Sequence, residues 1–306
     1  MPLFEYGKSL KSARSDELIN TYVVRPLAGI LVRALYRTRV TPNQVTATAT
    51  FMGLVAAALY AQGRTVPTAV AACFLWLKDL LDSADGQLAR AKNLFSRMGR
   101  FLDSAGDLLV NIAVFSAISV TLFRQLQSPL ELLLGAAALL STTLRISYHV
   151  FYQVSYLHLE QSYSVNRTDE TLRSSDLLAN RTTIVLQRLY QASYGWQDRA
   201  MQRLDTWCRG DLAGELNDRW FRDGTGLRLS GLLGMGTEIL VLVIFSLCDA
   251  LAAYLIVNVT AQNLLWLISV AYRRCLLAPA LRRQHPSVGT TISSTRASPH
   301  AEPPLR

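Results

Sequence analysis

Between Lys78 and Asn111 the chain reads KDLLDSADGQLARAKNLFSRMGRFLDSAGDLLVN, with five aspartates at positions 79, 82, 85, 103 and 107. On a helix, Asp82 and Asp85 are three apart and share a face, as do Asp103 and Asp107, four apart. Gly86 lies on the face of the first pair and Ala89 one turn further on. If the two pairs face each other, four carboxylates converge on one point. Hard divalent cations such as Mg²⁺ take oxygen ligands and phosphate co-ligands, so cation-assisted phosphate chemistry is what such a point could do. Gly86 and Ala89 remove bulk beside the acids, which lets a flat base or a phosphate approach the backbone. Arg90 adds a guanidinium suited to a phosphate or carboxylate, and Gly99, four before Asp103, allows close helix approach. Crowded carboxylates repel one another and resist desolvation, so something cationic must compensate them.

The elements that position these residues follow from hydropathy. The 306 residues are 50% hydrophobic and 17% charged, with 31 Lys and Arg against 22 Asp and Glu. That composition excludes a disordered or collagen-like chain and is poor in charge for a soluble domain. Cys73, Cys208, Cys248 and Cys275 show no paired spacing, so no disulfide framework or thiolate metal site is expected. Residues 40–63, 65–77, 108–123, 132–144 and 250–272 carry no charge, and 229–248 carry only Glu238. A helix crossing the hydrocarbon needs about 20 mostly apolar residues. The first and last windows reach that length, and the shorter ones span by borrowing turns from their flanks. Lys and Arg concentrate in 1–43, 83–100, 145–228 and 273–306. The positive-inside rule then predicts six spans with both termini and the acidic segment cytoplasmic. The N-terminus lacks the apolar core of a signal peptide.

The expected fold is therefore all-α and polytopic. Residues 1–40 form a cytoplasmic N-terminus whose helix, 20–38, sets Tyr22, Val23, Leu27, Ile30, Leu31 and Leu35 opposite Arg25, Arg33 and Arg37 and lies in the interface. Residues 41–150 supply four spans, 151–226 a cytoplasmic insertion, 227–275 two more spans, and 276–306 a disordered tail. Within the insertion, 184–208 has helical periodicity. Its tyrosines and tryptophans suit either a membrane or subunit contact, or packing on the same chain. Two sequons, at Asn166 and Asn180, are unused if this loop is cytoplasmic.

Any one of these aspartates alone reads as solvated juxtamembrane charge. The whole constellation is more specific: Asp82-x2-Asp85-Gly86-x2-Ala89-Arg90-x8-Gly99-x3-Asp103-x3-Asp107. It resembles, without departure, the motif of the CDP-alcohol phosphatidyltransferase family (class I). The resemblance covers roughly residues 20–150. It implies a six-span, homodimeric membrane enzyme that moves a phosphoalcohol group from a CDP-alcohol to a second alcohol and releases CMP. By that resemblance, Asp82, Asp85, Asp103 and Asp107 ligate one or two Mg²⁺ or Mn²⁺ ions. Asp107 is also the general base, and Gly86, Ala89, Arg90 and Ser96 contact the CDP moiety. A second stretch, Thr41-Pro42-Asn43-Gln44-Val45-Thr46, is similar to one the family carries at the start of its first span. It would bring Pro42, Asn43 and Thr46 to the nucleotide. Thr41 and Pro42 also read as a helix start.

CDP-diacylglycerol is the expected donor in phospholipid synthesis, with CDP-choline, CDP-ethanolamine or CDP-inositol types as alternatives the motif does not separate. Arg145, Arg273 and Arg274 are candidates to bind a phosphorylated acceptor, or else serve as positive-inside anchors. Glu238, mid-span, reads as functional or as a structural group paired with Thr237, Asn258 or backbone. Gly231, Gly234 and Gly236 suit a helix–helix or dimer seam. A cation or proton transporter is the alternative from another class. The basic residues follow membrane topology, not one patch, which disfavours a nucleic-acid partner.

Overall fold

The computed structural model describes residues 16–94, 96–160, 181–212 and 214–284. The sequons at Asn166 and Asn180 and the tail beyond Gln284 lie outside them. Among the described residues the chain is helical, with no strand. A π-helical turn, Asn20–Val24, leads into α1 (Arg25–Leu35). Then follow α2 (Pro42–Tyr60), α3 (Thr65–Lys92), α4 (Arg97–Leu126) and α5 (Leu130–Leu159). Helix α6 (Arg181–Arg209) is followed by α7 (Glu215–Arg222), α8 (Gly224–Gly231) and α9 (Met235–Leu247). The last stretch comprises α10 (Leu251–Val259), α11 (Ala261–Ala271), a π-helical segment Tyr272–Leu277, and α12 (Ala278–Gln284).

Among the described residues, four segments are long and apolar enough to cross a membrane: Met98–Leu126, Leu130–Leu159, Gly224–Leu247 and Leu251–Arg283. Large apolar side chains such as Leu133, Ile244, Leu264 and Leu267 point outward from them. Helices α2 and α3 fall short of that composition. The first opens on Pro42-Asn43-Gln44 and carries several threonines, and the second holds Lys78, Asp79, Asp82 and Asp85. Yet α3 is 28 residues long, about 42 Å of rise. It packs between α2 and α9 and against α1.

Local chemistry sets the helix ends near the acidic segment. Thr41 and Gln44 form a reciprocal capping box that starts α2, with Pro42 in the first turn. Asn93 adopts a left-handed conformation (φ 56°), and the Leu94 amide donates back to the Ala89 carbonyl at 2.9 Å, which stops α3. Ser96 then caps α4 by accepting from the Gly99 amide at 2.9 Å. The acidic pairs thus end one helix and begin the next, a short turn apart.

Small residues let α4 close on α2. A Cβ on Gly106 would lie 2.3 Å from Thr50 Oγ1, and one on Gly53 would lie 2.6 Å from the Val110 methyls. At Gly99 it would meet Asn43 Oδ1 at 2.8 Å, so the close approach expected there is present. Beyond this seam a core forms around Tyr60, Leu75, Val114, Phe115, Leu242 and Tyr254.

The N-terminal helix buries a face of small residues that its amphipathic pattern does not mark. Tyr22, Leu27 and Ile30 face outward, while Ala28, Gly29 and Val32 pack inward on Ala84 and Leu88 of α3. Arg25, expected on a solvated face, is buried and paired with Asp16 at 2.7 Å. Small residues win the inner face because they allow backbone approach. The apolar residues pushed outward form the surface an interfacial helix would present to lipid.

The insertion folds onto its own chain. Helix α6 packs on α4 and α5, with Tyr190 against Phe101 (ring centroids 5.3 Å apart) and Tyr194 donating to the Ser104 carbonyl at 2.9 Å. Residues 151–159 continue α5, and the final helix runs to Gln284, past the expected boundary at 275. A second core gathers Tyr148, Tyr152, Met201, Trp220 and Leu277.

Arg145 and Glu238, far apart in sequence, meet in the bundle. Arg145 is 1% exposed and donates to Glu238 Oε2 at 2.8 Å, to Thr142 Oγ1, to Asn263 Oδ1 and to the Asn258 carbonyl. Tyr254 and Asn258 donate to the other Glu238 oxygen at 2.5 and 2.7 Å. Of the partners expected for Glu238, Asn258 is present. Removing one member leaves the other charge buried and uncompensated. Arg145→Met should therefore cost about 3–5 kcal/mol, and Arg145→Met with Glu238→Leu should recover most of it. Thermal midpoints of the three proteins in one detergent test this; a double variant no more stable than the single one would contradict it.

Candidate metal centre and adjoining cavity

The turn between α3 and α4 brings the acids together. Oxygens of Asp82, Asp85 and Asp103 all lie within 4.8 Å of one another. One Asp103 oxygen is buried without a hydrogen-bond partner, as is one oxygen of Asp79. Carboxylate oxygens gathered this closely, one of them buried with nothing donating to it, match the donor set a hard divalent cation takes. The residues present fit such an ion.

Asp107 stands beside this group and is ion-paired with Lys78 of α3. The same ammonium lies 3.7 Å from Asp82 and is 3% exposed. The compensating cation expected from the sequence is thus inside the chain. Lys78 was not among the candidate site residues, although it stands four before Asp82, the spacing at which side chains on one helix face meet.

The expected nucleotide-side residues cluster at the helix ends. Thr46 donates to Asp85 Oδ2 at 2.5 Å and to the Pro42 carbonyl at 3.1 Å, so it orients a carboxylate of the cluster. Asn43 and Ser96 converge on Gly99. Gly86 leaves its face open except for the Arg90 guanidinium, 3.5 Å from where a Cβ would stand. Ala89 lies in the last full turn of α3 and is half-buried.

A cavity of about 380 Å³ opens beside these groups. Asp82, Asp85, Asp103, Asp107, Gly86 and Arg90 line one side. The other side carries Glu17, Asn20, His149 and Gln153, together with Tyr190, Tyr194 and Gln197 from α6. The sequence held no local signal for Glu17, whose partners lie more than two hundred residues away.

The three arginines proposed for an acceptor are placed elsewhere. None lines this cavity. Arg145 is held in the network with Glu238. Arg273 is fully buried, its guanidinium 3.5 Å from the Tyr152 ring centroid. Arg274 lies 3.8 Å from the Trp207 ring centroid and donates to the Trp207 carbonyl.

The glycines expected at a seam pack on the N-terminal segment. A Cβ on Gly234 would lie 2.1 Å from the Glu17 carboxyl, and one on Gly236 would lie 2.8 Å from Asn20 Oδ1. Glu17 accepts from the Gly236 amide at 2.8 Å and the Thr237 amide at 3.3 Å, capping α9 from outside the helix. Burial first, then the charges of Asp79 and Asp16, push its carboxyl up to about 8, against the lowering effect of the two amides.

A bundle of helices with apolar residues facing outward, gathered around a carboxylate cluster that fits a cation, defines an integral membrane protein. Residues 39–187 match the model of the CDP-alcohol phosphatidyltransferase family. Over 97 residues it is 35% identical to a phosphatidylinositol phosphate synthase of Mycobacterium marinum (strain ATCC BAA-535 / M), a stretch covering 31% of this chain. The chain spans 38% of that relative's length.

The Glu17 cap makes stability pH-dependent. The folded state keeps the Glu17 proton between the ordinary glutamate value and about 8, while the unfolded chain gives it up. Stability therefore falls as pH rises through that window and levels off above it. Glu17→Gln keeps an acceptor oxygen for α9 and removes the titration. The thermal midpoint of the natural protein should drop between about pH 5 and pH 8.5, and that of the variant should change less. Equal slopes would contradict the assignment.

Proposed function

We propose that the chain transfers a phosphatidyl group from a CDP-alcohol, with CDP-diacylglycerol as donor, to an alcohol acceptor and releases CMP in phospholipid biosynthesis. The observation that carries this reading is the convergence of Asp82, Asp85 and Asp103, with Asp107 beside them, on a cavity that also presents Gly86 and Arg90. The Mycobacterium marinum relative is named for making phosphatidylinositol phosphate, which supports a phosphatidyl group as the part moved.

In this reading α2 and α3 are two further spans, giving six, with both termini and the acidic cluster cytoplasmic. The chain acts as a homodimer. Asp82, Asp85, Asp103 and Asp107 hold Mg²⁺ or Mn²⁺, which when bound would neutralise the pyrophosphate and stabilise the departing CMP. Gly86 and Ala89 admit the nucleotide to the backbone of α3, and Arg90 holds its phosphates. Pro42, Asn43, Thr46 and Ser96 close the nucleotide side from the starts of α2 and α4. The acceptor hydroxyl enters from the wall of Glu17, His149 and Gln153. Asp107 takes the hydroxyl proton as the oxygen attacks the β-phosphorus, the bond from that phosphorus to the CMP oxygen breaks, and CMP leaves with the electron pair. Positioning and charge neutralisation supply most of the acceleration.

The test is CMP release by the purified chain in detergent, with CDP-diacylglycerol, a panel of alcohols and Mn²⁺ or Mg²⁺. Turnover should require the metal, stop on chelation and return on readdition. Asp107→Asn should lower turnover by about 10²–10⁴-fold, the range for loss of a general base. No CMP from any CDP-alcohol would overturn the reading.

A further inference from the structure

Lys78 occupies ground that a second metal ion would need. Its ammonium is ion-paired with Asp107 and lies 3.7 Å from Asp82, so it sits between the last carboxylate of the motif and the first. The oxygens close enough to share one ion belong to Asp82, Asp85 and Asp103, and Asp107 is outside that group. We propose that Lys78 is a built-in cation that replaces one divalent ion, so that each chain binds a single metal at Asp82, Asp85 and Asp103 while the ammonium positions Asp107. This deepens the proposed function, rests on its metal site and narrows its ligands from four aspartates to three.

Three features support the assignment. First, the ammonium is held in place. Lys78 is 3% exposed, and the space beyond it is a small, mainly apolar pocket lined by Leu75, Val114, Ile239 and Leu242, whose one carboxylate, Glu238, is already paired with Arg145. Second, a divalent ion bridging Asp82 and Asp107 would stand next to the ammonium in a poorly screened environment, where like charges repel strongly. Third, the charges come close to balance. Four carboxylates carry four formal negative charges. One divalent ion and one ammonium return three, and the bound phosphates bring further negative charge that Arg90 faces. Lys78 acts through Asp107 and is a positioning residue.

Metal stoichiometry tests this without relying on activity. The full chain is purified in detergent, stripped of metal and titrated with Mn²⁺, following bound ion and the electron paramagnetic resonance spectrum. The natural protein should bind one Mn²⁺ per chain with the six-line signal of an isolated ion. Lys78→Met should open the vacated position, raising the count to two per chain with an exchange-coupled signal. Lys78→Arg, which restores a cation, should return it to one. Two coupled ions in the natural protein would overturn the proposal while leaving the metal site of the proposed function intact. A count of one in a monodisperse Lys78→Met protein would also overturn it. No Mn²⁺ binding at all would instead sink the metal site and the proposal with it.

Discussion

Carboxylates gathered where water is scarce must find positive charge or keep their protons, and that constraint organises this bundle. Each ion taken from water loses several kcal/mol of solvation, recovered only through a close, well-oriented partner. The chain meets the requirement in three ways. At the acidic cluster, a lysine one turn before Asp82 reaches across to Asp107 on the next helix. Inside the bundle, Arg145 and Glu238 neutralise each other and have their remaining donors and acceptors filled by Thr142, Tyr254 and Asn258. At the start of α9, Glu17 uses helix amides and its proton. In the second, both oxygens of Glu238 are filled. The first leaves oxygens of Asp79 and Asp103 without donors, and the cavity lies there.

Such a cluster is maintained only if the helices bearing it cannot drift apart. The seam of Gly53, Gly99 and Gly106 against Val110, Asn43 and Thr50 brings α2 and α4 close enough for side-chain atoms to leave no room for a methyl group. The same approach sets Thr46 of α2 within hydrogen-bonding distance of Asp85 on α3. Capping contributes at the other end. Asn93 stops one helix and Ser96 starts the next, so the reversal between the two acidic pairs is short and both pairs face the same space.

Much of this was legible from spacing. The i,i+3 and i,i+4 aspartates, the cap at Thr41 and Pro42 and the close approach at Gly99 follow from helical periodicity and known cap chemistry, which are local properties. Helix α6 was legible from its period, but whether it met membrane, subunit or its own chain was not. That depends on Tyr190 finding Phe101, a tertiary contact. The inner face of α1 was not legible for a related reason. A helix beside a membrane can turn its large apolar residues outward, so amphipathicity no longer marks the inner face. There Ala28, Gly29 and Val32 pack because they are small. Membrane hydropathy was informative for four segments and weakest for α2 and α3, where Asn43, Gln44 and the threonines of one and Lys78 and the aspartates of the other dilute the apolar signal.

The arginines show why charge is ambiguous evidence near a bilayer. Arg145, Arg273 and Arg274 sit where the positive-inside rule places basic residues, and their positions served equally well for anchoring or for binding an acidic acceptor. The fold puts two of them to a third use. Arg273 has its guanidinium against Tyr152 and near Trp220, with Asp205 accepting from both of those side chains. It thereby ties the last membrane segment to α5 and to helices α6 and α7 of the insertion. Arg145 ties α5 to α9 and α10. A guanidinium can do this because it is planar, stays ionised and tolerates partial desolvation against an aromatic face. The wall of the cavity across from the acidic cluster is lined by Glu17, Asn20, His149 and Gln153, with the insertion helix adding Tyr190, Tyr194 and Gln197. Arg145 and Arg273 are thus committed to holding the helices together, and the guanidiniums that line the cavity are those of Arg25, Arg90 and Arg100.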